Sequence, residues 1–572
     1  MNDETPSRID GNWDHRFDVI VVGSGGGGML AAICAHDLGQ SVVVIEKGDV
    51  YGGTTAISGG AVWVPCNHQI AALGGADNRD EALAYLKAAT RAMVSEARLN
   101  AYLDSAPQMV RYLESKTRMR YRAMPGYSDY YPDLAGAKDG YRTMDPVPFD
   151  AAKLGGEFDR LRPPSPGTLI AGRVGMTAGE AHTILAKERG WMMLIARRFA
   201  RYWLDLRWRR RTRRDRRLTL GNALIGALRA SMLDRKIPLW LDTPLESVIA
   251  DARHVTGVVA NQNGTRVRIA ANRGVVLAAG GFEHNQAMRE NYLPHPTDAE
   301  WTTTPPTNTG DAIRAGAEVG AQLALMDMAW WAPTVFVPGR EKRRALFVER
   351  ALPGCVMVNR LGRRFVDEAA PYSDIVTAMY ADHVSSGANL PAWLIFDATF
   401  RRNYPCGPLL PGMVQKDTAL PQDWDGKVYF KAGSLDGLAS RIGVDAVGLM
   451  DAVRKMNSYA ASGVDAEFGK GGNTFDRYYG DINVKPNPCL APIVKAPFYA
   501  LRIDAGDIGT KGGLLTDEFA RVLRADGQPI AGLYAIGNTS AAVMGPSYPG
   551  AGSTIGPAMT FGFIAAHHLA GV

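Results

Sequence analysis

Within its first fifty residues this chain sets an apolar strand, a run of glycines, a helix and a second strand end to end, an order that few folds accept. Residues 17–22 (FDVIVV) are short, apolar and β-branched, as a strand buried on both faces must be. Gly23-Ser24-Gly25-Gly26-Gly27-Gly28 follows, then MLAAICAHDLG, a helix pattern closed by Gly39, then the strand SVVVIEKG (41–48). This is one βαβ unit. Gly23, Gly25 and Gly28 satisfy G-x-G-x-x-G at the strand-to-helix turn, with Gly26 in the same run. The first glycine permits the tight turn, the second lets the backbone reach a pyrophosphate, and the third lets helix and strand pack closely. The helix N-terminus then faces the negative charge. Glu46, followed by Lys47, ends the second strand 23 residues after Gly23, where a carboxylate can bind ribose hydroxyls.

At 572 residues the chain exceeds what one core organises, and two domains are expected. Its 46% hydrophobic and 21% charged residues are those of an ordinary globular protein. Five scattered cysteines without a C-x-x-C pair suggest neither a disulfide framework nor a zinc site, which fits a reducing, cytoplasmic setting. The start, MNDETPSRIDGNWDHR, shows no secretory signal, and no apolar run approaches the ~18 residues of a membrane span. Apolar strands and glycines recur over 238–281 and again from 497 onward, with a stretch richer in Pro, Trp and Tyr between them. The expectation is an α/β fold: a Rossmann-like domain built from both ends of the chain (1–297 and 498–572) with an inserted α+β catalytic domain (298–497).

The next glycine-rich loop decides which dinucleotide is bound. KGDVYGGTTAISGGAVWVP follows Glu46 at once and resembles the FAD-binding loops of the fumarate-reductase and ketosteroid-dehydrogenase group. Gly53, Thr54, Thr55, Ser58, Gly59 and Gly60 would supply small side chains and backbone donors along a flavin. VVLAAGG, with Ala279 and Gly280, and AIGN, with Gly537 and Asn538, resemble that group's remaining FAD contacts. AGSTIGPAM would begin a helix at Ser553, Thr554 and Ile555 whose free N–H groups stabilise the negative charge of a reduced flavin. No His stands in GGTTAISGGAVW, so non-covalent FAD is expected.

The substrate is read from an absence. Clamping a dicarboxylate calls for bidentate Arg, yet VMGPSYPGAGSTIGPAMT (543–560) has no Arg, Lys or His. A Tyr in a Gly-Pro setting suits a neutral, apolar ketone. With GYSDYYPDLAG, ERALPGCVMVNRLGRRFVDEAAPY, PFYA, GDIGTKGG and YPGAGSTIGPAMTFG also present in order, the chain resembles the 3-ketosteroid Δ1-dehydrogenases over most of its length, residues 185–235 excepted.

That resemblance implies desaturation of ring A, from 3-oxo-4-ene to 3-oxo-1,4-diene, in steroid degradation. Tyr548 and the Gly552 N–H match the pair that binds the 3-keto oxygen, an oxyanion hole in effect. Tyr372 matches the base that takes a proton from carbon 2, and Tyr130 the tyrosine that assists it. A phenol with pKa near ~10 needs such help. Tyr131 stands beside Tyr130, but successive extended residues face opposite ways, and Tyr130 is the choice. An external, quinone-like electron acceptor completes the expectation. The alternatives are Δ4-(5α)-dehydrogenation, desaturation of another cyclic ketone, a fumarate-reductase-like enzyme, and a flavin-binding partner without catalysis.

Eleven Arg and two Asp in 197–217 place +9 of charge in one segment, leaving −3 on the rest of a chain of net +6. Aromatic and aliphatic residues interleave with these arginines over 191–217, within an insertion near 185–235. Such a segment suits docking on the inner face of an anionic membrane, where a sterol would be met, or a solvated helix or an oligomer contact. Nothing else in the chain supports nucleic-acid binding.

Overall fold

The computed structural model describes residues 12–251, 254–339 and 342–572. Most of the N-terminal stretch read as lacking a signal, residues 1–11, lies outside them. The βαβ unit forms as its pattern dictates. His15–Val22 runs parallel to Val42–Ile45 on one side and to Thr265–Leu277 on the other, with Leu239–Trp240 beyond Val42–Ile45. Val19 to Val22 and Val42 to Ile45 are buried throughout, which explains why these strands read as continuous apolar runs. Thr265–Leu277 is shared. Its first half joins an antiparallel meander with Val255–Gln262 and Leu245–Ala250, while its end pairs in parallel with Pro529–Ala535. This eight-stranded sheet therefore takes strands from both ends of the chain.

The second sheet has six strands, and the long Phe498–Thr510 lies at its centre between Ala329–Val337 and Ala392–Phe396. It thus draws its central strand from beyond residue 497, where the sequence suggested the second domain ends. The helix Tyr372–Ser386 packs on Ala329–Val337. The C-terminal helix Ile555–Ala570 lies against Gly26–Asp37. Backbones approach closely there, since a Cβ on Gly27 would stand 2.6 Å from the Ala558 carbonyl oxygen and one on Gly562 2.7 Å from that of Gly27.

The stretch 185–235 divides in two. Leu220–Asp234 is a core helix, buried from Gly221 to Met232 and packed on Gly26–Asp37 and Gly53–Ile57. Its all-round apolar sequence is the signature of burial rather than of an insertion. Only the part before it, with the helices Trp191–Leu204 and Leu206–Arg211, is a surface feature. No helix among the described residues is long and apolar enough to cross a membrane.

Candidate active site

At the strand-to-helix turn Gly23 has φ +109°, and a Cβ there or on Gly28 would fall on a carbonyl oxygen, of Ala278 and of Gly23 respectively. Side chains are excluded by geometry at both positions. Gly25 caps the helix and has nothing nearer to its Cβ direction than the Thr55 hydroxyl at 3.7 Å. Glu46 ties the turn to the strand end: one oxygen accepts from the Ser24 N–H (3.0 Å) and hydroxyl (2.5 Å), the other from the Gly48 N–H (2.9 Å). The Lys47 ammonium is held by the Thr309 hydroxyl and the Asp311 carboxylate, both at 2.7 Å.

The second loop folds over the first. The Gly26 N–H donates to the Thr55 hydroxyl (3.2 Å), and Ser58 turns the chain by donating to the Thr55 carbonyl and accepting from the Gly60 N–H. Gly60 has φ +69° and abuts Gly221, while a Cβ on Gly59 would meet nothing within 4 Å. Across from them the Thr539 hydroxyl donates to the carbonyl of Gly280, beside Ala279, and Asn538 accepts from the Trp330 indole at 3.0 Å. Trp330, Gly537, Asn538, Ser553, Thr554 and Pro557 line a cavity at the start of the C-terminal helix, whose first residue is Ile555. A bare backbone cradle, a carboxylate at the strand end and a helix N-terminus at the far end fit FAD.

Beside this cavity the three tyrosines meet. The Tyr548 ring stacks on Tyr130 (centroids 5.3 Å apart, 17° between planes) and meets Tyr372 edge-on at 5.1 Å and Trp330 at 5.2 Å. Tyr130 and Tyr372 pack edge-to-face at 5.8 Å. Each arrives from a separately pinned segment. The Tyr130 N–H donates to the Pro549 carbonyl, and the preceding Asp129 is held by Arg142 and the Trp63 indole. Tyr372 opens its helix behind Pro371, over the buried Arg350, whose guanidinium donates to the carbonyls of Leu346, Phe347, Glu368 and Ala370. Gly552, at φ +99°, presses on Val62, where a Cβ would come within 2.5 Å of backbone carbon. The neighbouring Tyr131 meets the cluster only through backbone, its hydroxyl donating to Asp374 and accepting from the Tyr548 N–H.

All three phenols are raised above their ordinary pKa by burial, Tyr130 and Tyr372 well above it. For Tyr548 the Tyr372 and Thr554 hydroxyls and the Gly552 N–H oppose that rise, which sets the Gly552 amide beside the Tyr548 hydroxyl. Such a pair can hold an oxygen acquiring negative charge. The packing also brings in further aromatic residues. Phe475 lies 4.6 Å from Tyr130, Phe347 4.9 Å from Tyr372, and the Tyr127 hydroxyl 3.5 Å from that of Tyr130. Tyr127 stands in GYSDYYPDLAG beside Tyr130, whereas for Phe475 and Phe347 the only sequence signal is the density of aromatic residues around them.

A nucleotide-binding sheet joined to a second catalytic sheet, with a glycine cradle between them, defines a flavoprotein. The family model described as FAD binding domain matches residues 18–555. The chain is 42% identical to a 3-oxosteroid 1-dehydrogenase of Comamonas testosteroni, over 98% of this chain and 97% of that one. It is 40% identical to one of Mycobacterium tuberculosis, over 97% and 98%. The crystal structure of 3-ketosteroid Δ1-dehydrogenase from Sterolibacterium denitrificans, in complex with 1,4-androstadiene-3,17-dione, superposes with a TM-score of 0.95 at 58% identity, covering 97% of this chain and all of that one. The protein belongs to the FAD-dependent 3-oxosteroid 1-dehydrogenase family.

Proposed function

We propose that the protein desaturates the bond between carbons 1 and 2 of 3-ketosteroids, turning a 3-oxo-4-ene into a 3-oxo-1,4-diene. The observation that carries this reading is the convergence of Tyr130, Tyr372 and Tyr548 beside the cofactor cavity. Tyr548 and the Gly552 N–H receive the 3-keto oxygen and stabilise it as it becomes enolate-like. That charge acidifies carbon 2, from which Tyr372 takes the proton. Tyr130, whose ring packs on both partners, is placed to hydrogen-bond Tyr372 and so lower the cost of its phenolate. FAD held non-covalently along the glycine loops and the start of the C-terminal helix would supply the hydride acceptor for carbon 1, with an external quinone-like acceptor for its reoxidation. The aromatic walls exclude water and suit a flat, apolar ring system.

Anaerobic addition of a 3-keto-4-ene steroid to the yellow holoprotein tests this. Bleaching of the flavin with release of a 1,4-diene is expected. No bleaching by steroid, with bleaching by succinate, would overturn the reading.

A second reading concerns 191–217. Met192, Met193, Trp203, Leu204 and Leu206 are more than half exposed, next to exposed Arg197, Arg201, Arg207 and Arg210. Apolar and cationic side chains on one surface suit docking on an anionic bilayer that holds the substrate. Other arginines of the segment serve the fold instead, Arg198 and Arg217 pairing with Glu180 and Arg216 with Asp150. Co-sedimentation with anionic vesicles is expected, weakened by Trp203→Glu with Leu204→Glu. Failure of the wild-type protein to sediment would sink this reading.

A further inference from the structure

The turn after the central strand, GDIGTKGG, carries a lysine for which the chemistry above has no use. Lys511 is 1% exposed. Its ammonium donates to the carbonyls of Ser547 (2.7 Å) and Gly545 (3.1 Å) and stands 4.4 Å above the Trp330 ring. On the helix Glu96–Lys116, Arg98 is also buried and donates to the Ala541 carbonyl at 2.8 Å. Among the described residues neither cation has a carboxylate within ion-pair distance; Asp374 and Asp517 act on them only from farther off. Burial pulls Lys511 down to about 7 and Arg98 to about 10. Burying two cations on carbonyls alone is costly, and structures that do so use the interaction.

What they hold is one segment. Residues 541–547 run from Asn538 and Ser540, which line the cofactor cavity, to Tyr548. The same segment is fixed from a third side, since the Ser547 hydroxyl donates to the Ala89 carbonyl. Trp330, under the lysine, touches both ends of it: its indole donates to Asn538 and its ring packs on Tyr548.

We propose that Lys511 and Arg98 are positioning residues for the dehydrogenation, pinning 541–547 by its carbonyls so that Tyr548 and Gly552 aim their two donors at one oxygen. This rests on the steroid reading of the site. A donor displaced by about an ångström costs on the order of a hundredfold in rate. It also costs binding only for ligands that carry the oxygen to be grasped.

The test compares holoenzymes of Lys511→Met and the wild type. Expected are unchanged flavin content, kcat lower by about a hundredfold with a much smaller change in KM, and weaker binding of the 3-keto-1,4-diene by about tenfold. Affinity for the same skeleton lacking the 3-oxygen should not move. Arg98→Met, on a different element and itself lining the cofactor cavity, should show on flavin-replete protein the same discrimination between keto and deoxy ligand at smaller size, and it carries the test if the lysine variant does not fold. Wild-type kcat in both, or equal losses for the keto and the deoxy ligand, would overturn the proposal. Failure of the steroid reading itself would show differently, as wild-type protein that neither binds nor oxidises the steroid.

Discussion

In the cofactor cradle, side chains matter mainly by being absent: Gly23 and Gly28 let backbone pack where a Cβ would fall on a carbonyl oxygen, and Gly25 and Gly59 leave open space. In the tyrosine cluster, backbone matters mainly by being held still while four aromatic rings do the contacting. The first is built largely from one stretch of about forty residues and the second from segments spread between Tyr130 and Tyr548. A local, backbone-made site tolerates no added atom at its tightest points, Gly23 and Gly28, whereas a long-range, side-chain-made site tolerates small losses of structure and fails in function.

The largest effect should come from adding one methyl to the cradle. In Gly28→Ala the Cβ falls on the Gly23 carbonyl oxygen, with the Ala278 side chain close behind. Overpacking of this kind costs about 1–3 kcal/mol and shifts the turn that faces the pyrophosphate. Purified protein should be nearly colourless and inactive, as the ratio of flavin to protein absorbance will report. A yellow, active variant would remove the contrast between the two regions.

The tyrosine cluster should answer in the opposite way. Tyr372→Phe keeps the ring, and with it the packing on Tyr130, Phe347 and Tyr548, and removes only the hydroxyl. Full flavin content and a kcat lower by about a thousandfold are expected in stopped-flow reduction. Tyr548→Phe removes one of two donors to the keto oxygen and should cost about a hundredfold, with the Gly552 N–H still in place. If either variant lost its flavin instead, the two regions would be one structural unit.

The same contrast governs what could be read from the chain. Gly23, Gly25, Gly28 and Glu46 were legible because each requirement is local: a turn, an approach, a strand end. Tyr130, Tyr372 and Tyr548 were recognisable only through resemblance, since no spacing rule links residues that meet solely in the folded state. Phe475 and Trp330 escaped notice for that reason, and so did Lys511, whose role depends on carbonyls that sequence does not display. The helix Leu220–Asp234 was taken with the arginine-rich stretch before it because it is adjacent in sequence. Its apolar faces against Gly26–Asp37 and Gly53–Ile57 belong to the nucleotide-binding core.

Glu283 touches both regions and gives the smallest, most discriminating effect. It is fully buried, accepts from the Asn308 amide at 2.7 Å, and through Asn308 meets the cradle residue Thr54; on the other side it meets the hydroxyl of Thr510, next to Lys511. Burial raises its pKa to about 7, and the charge of Asp507 adds to that, while Asn308 opposes it. A carboxyl raised in the folded state binds its proton more tightly there than in the unfolded chain. Its contribution is therefore fully present below the unfolded value of about 4.5 and is lost as pH rises through about 7. Glu283→Gln keeps the shape and an oxygen for Asn308 but cannot ionise. Urea unfolding of the holoenzyme at pH 5 and pH 8 should show the variant losing less stability than the wild type, by about 1–3 kcal/mol. Some slope will persist in the variant, because burial also raises Asp129 to about 6 and Asp145 to about 7. If the two slopes coincide, Glu283 is already solvated or paired in the holoenzyme and does not carry the pH dependence.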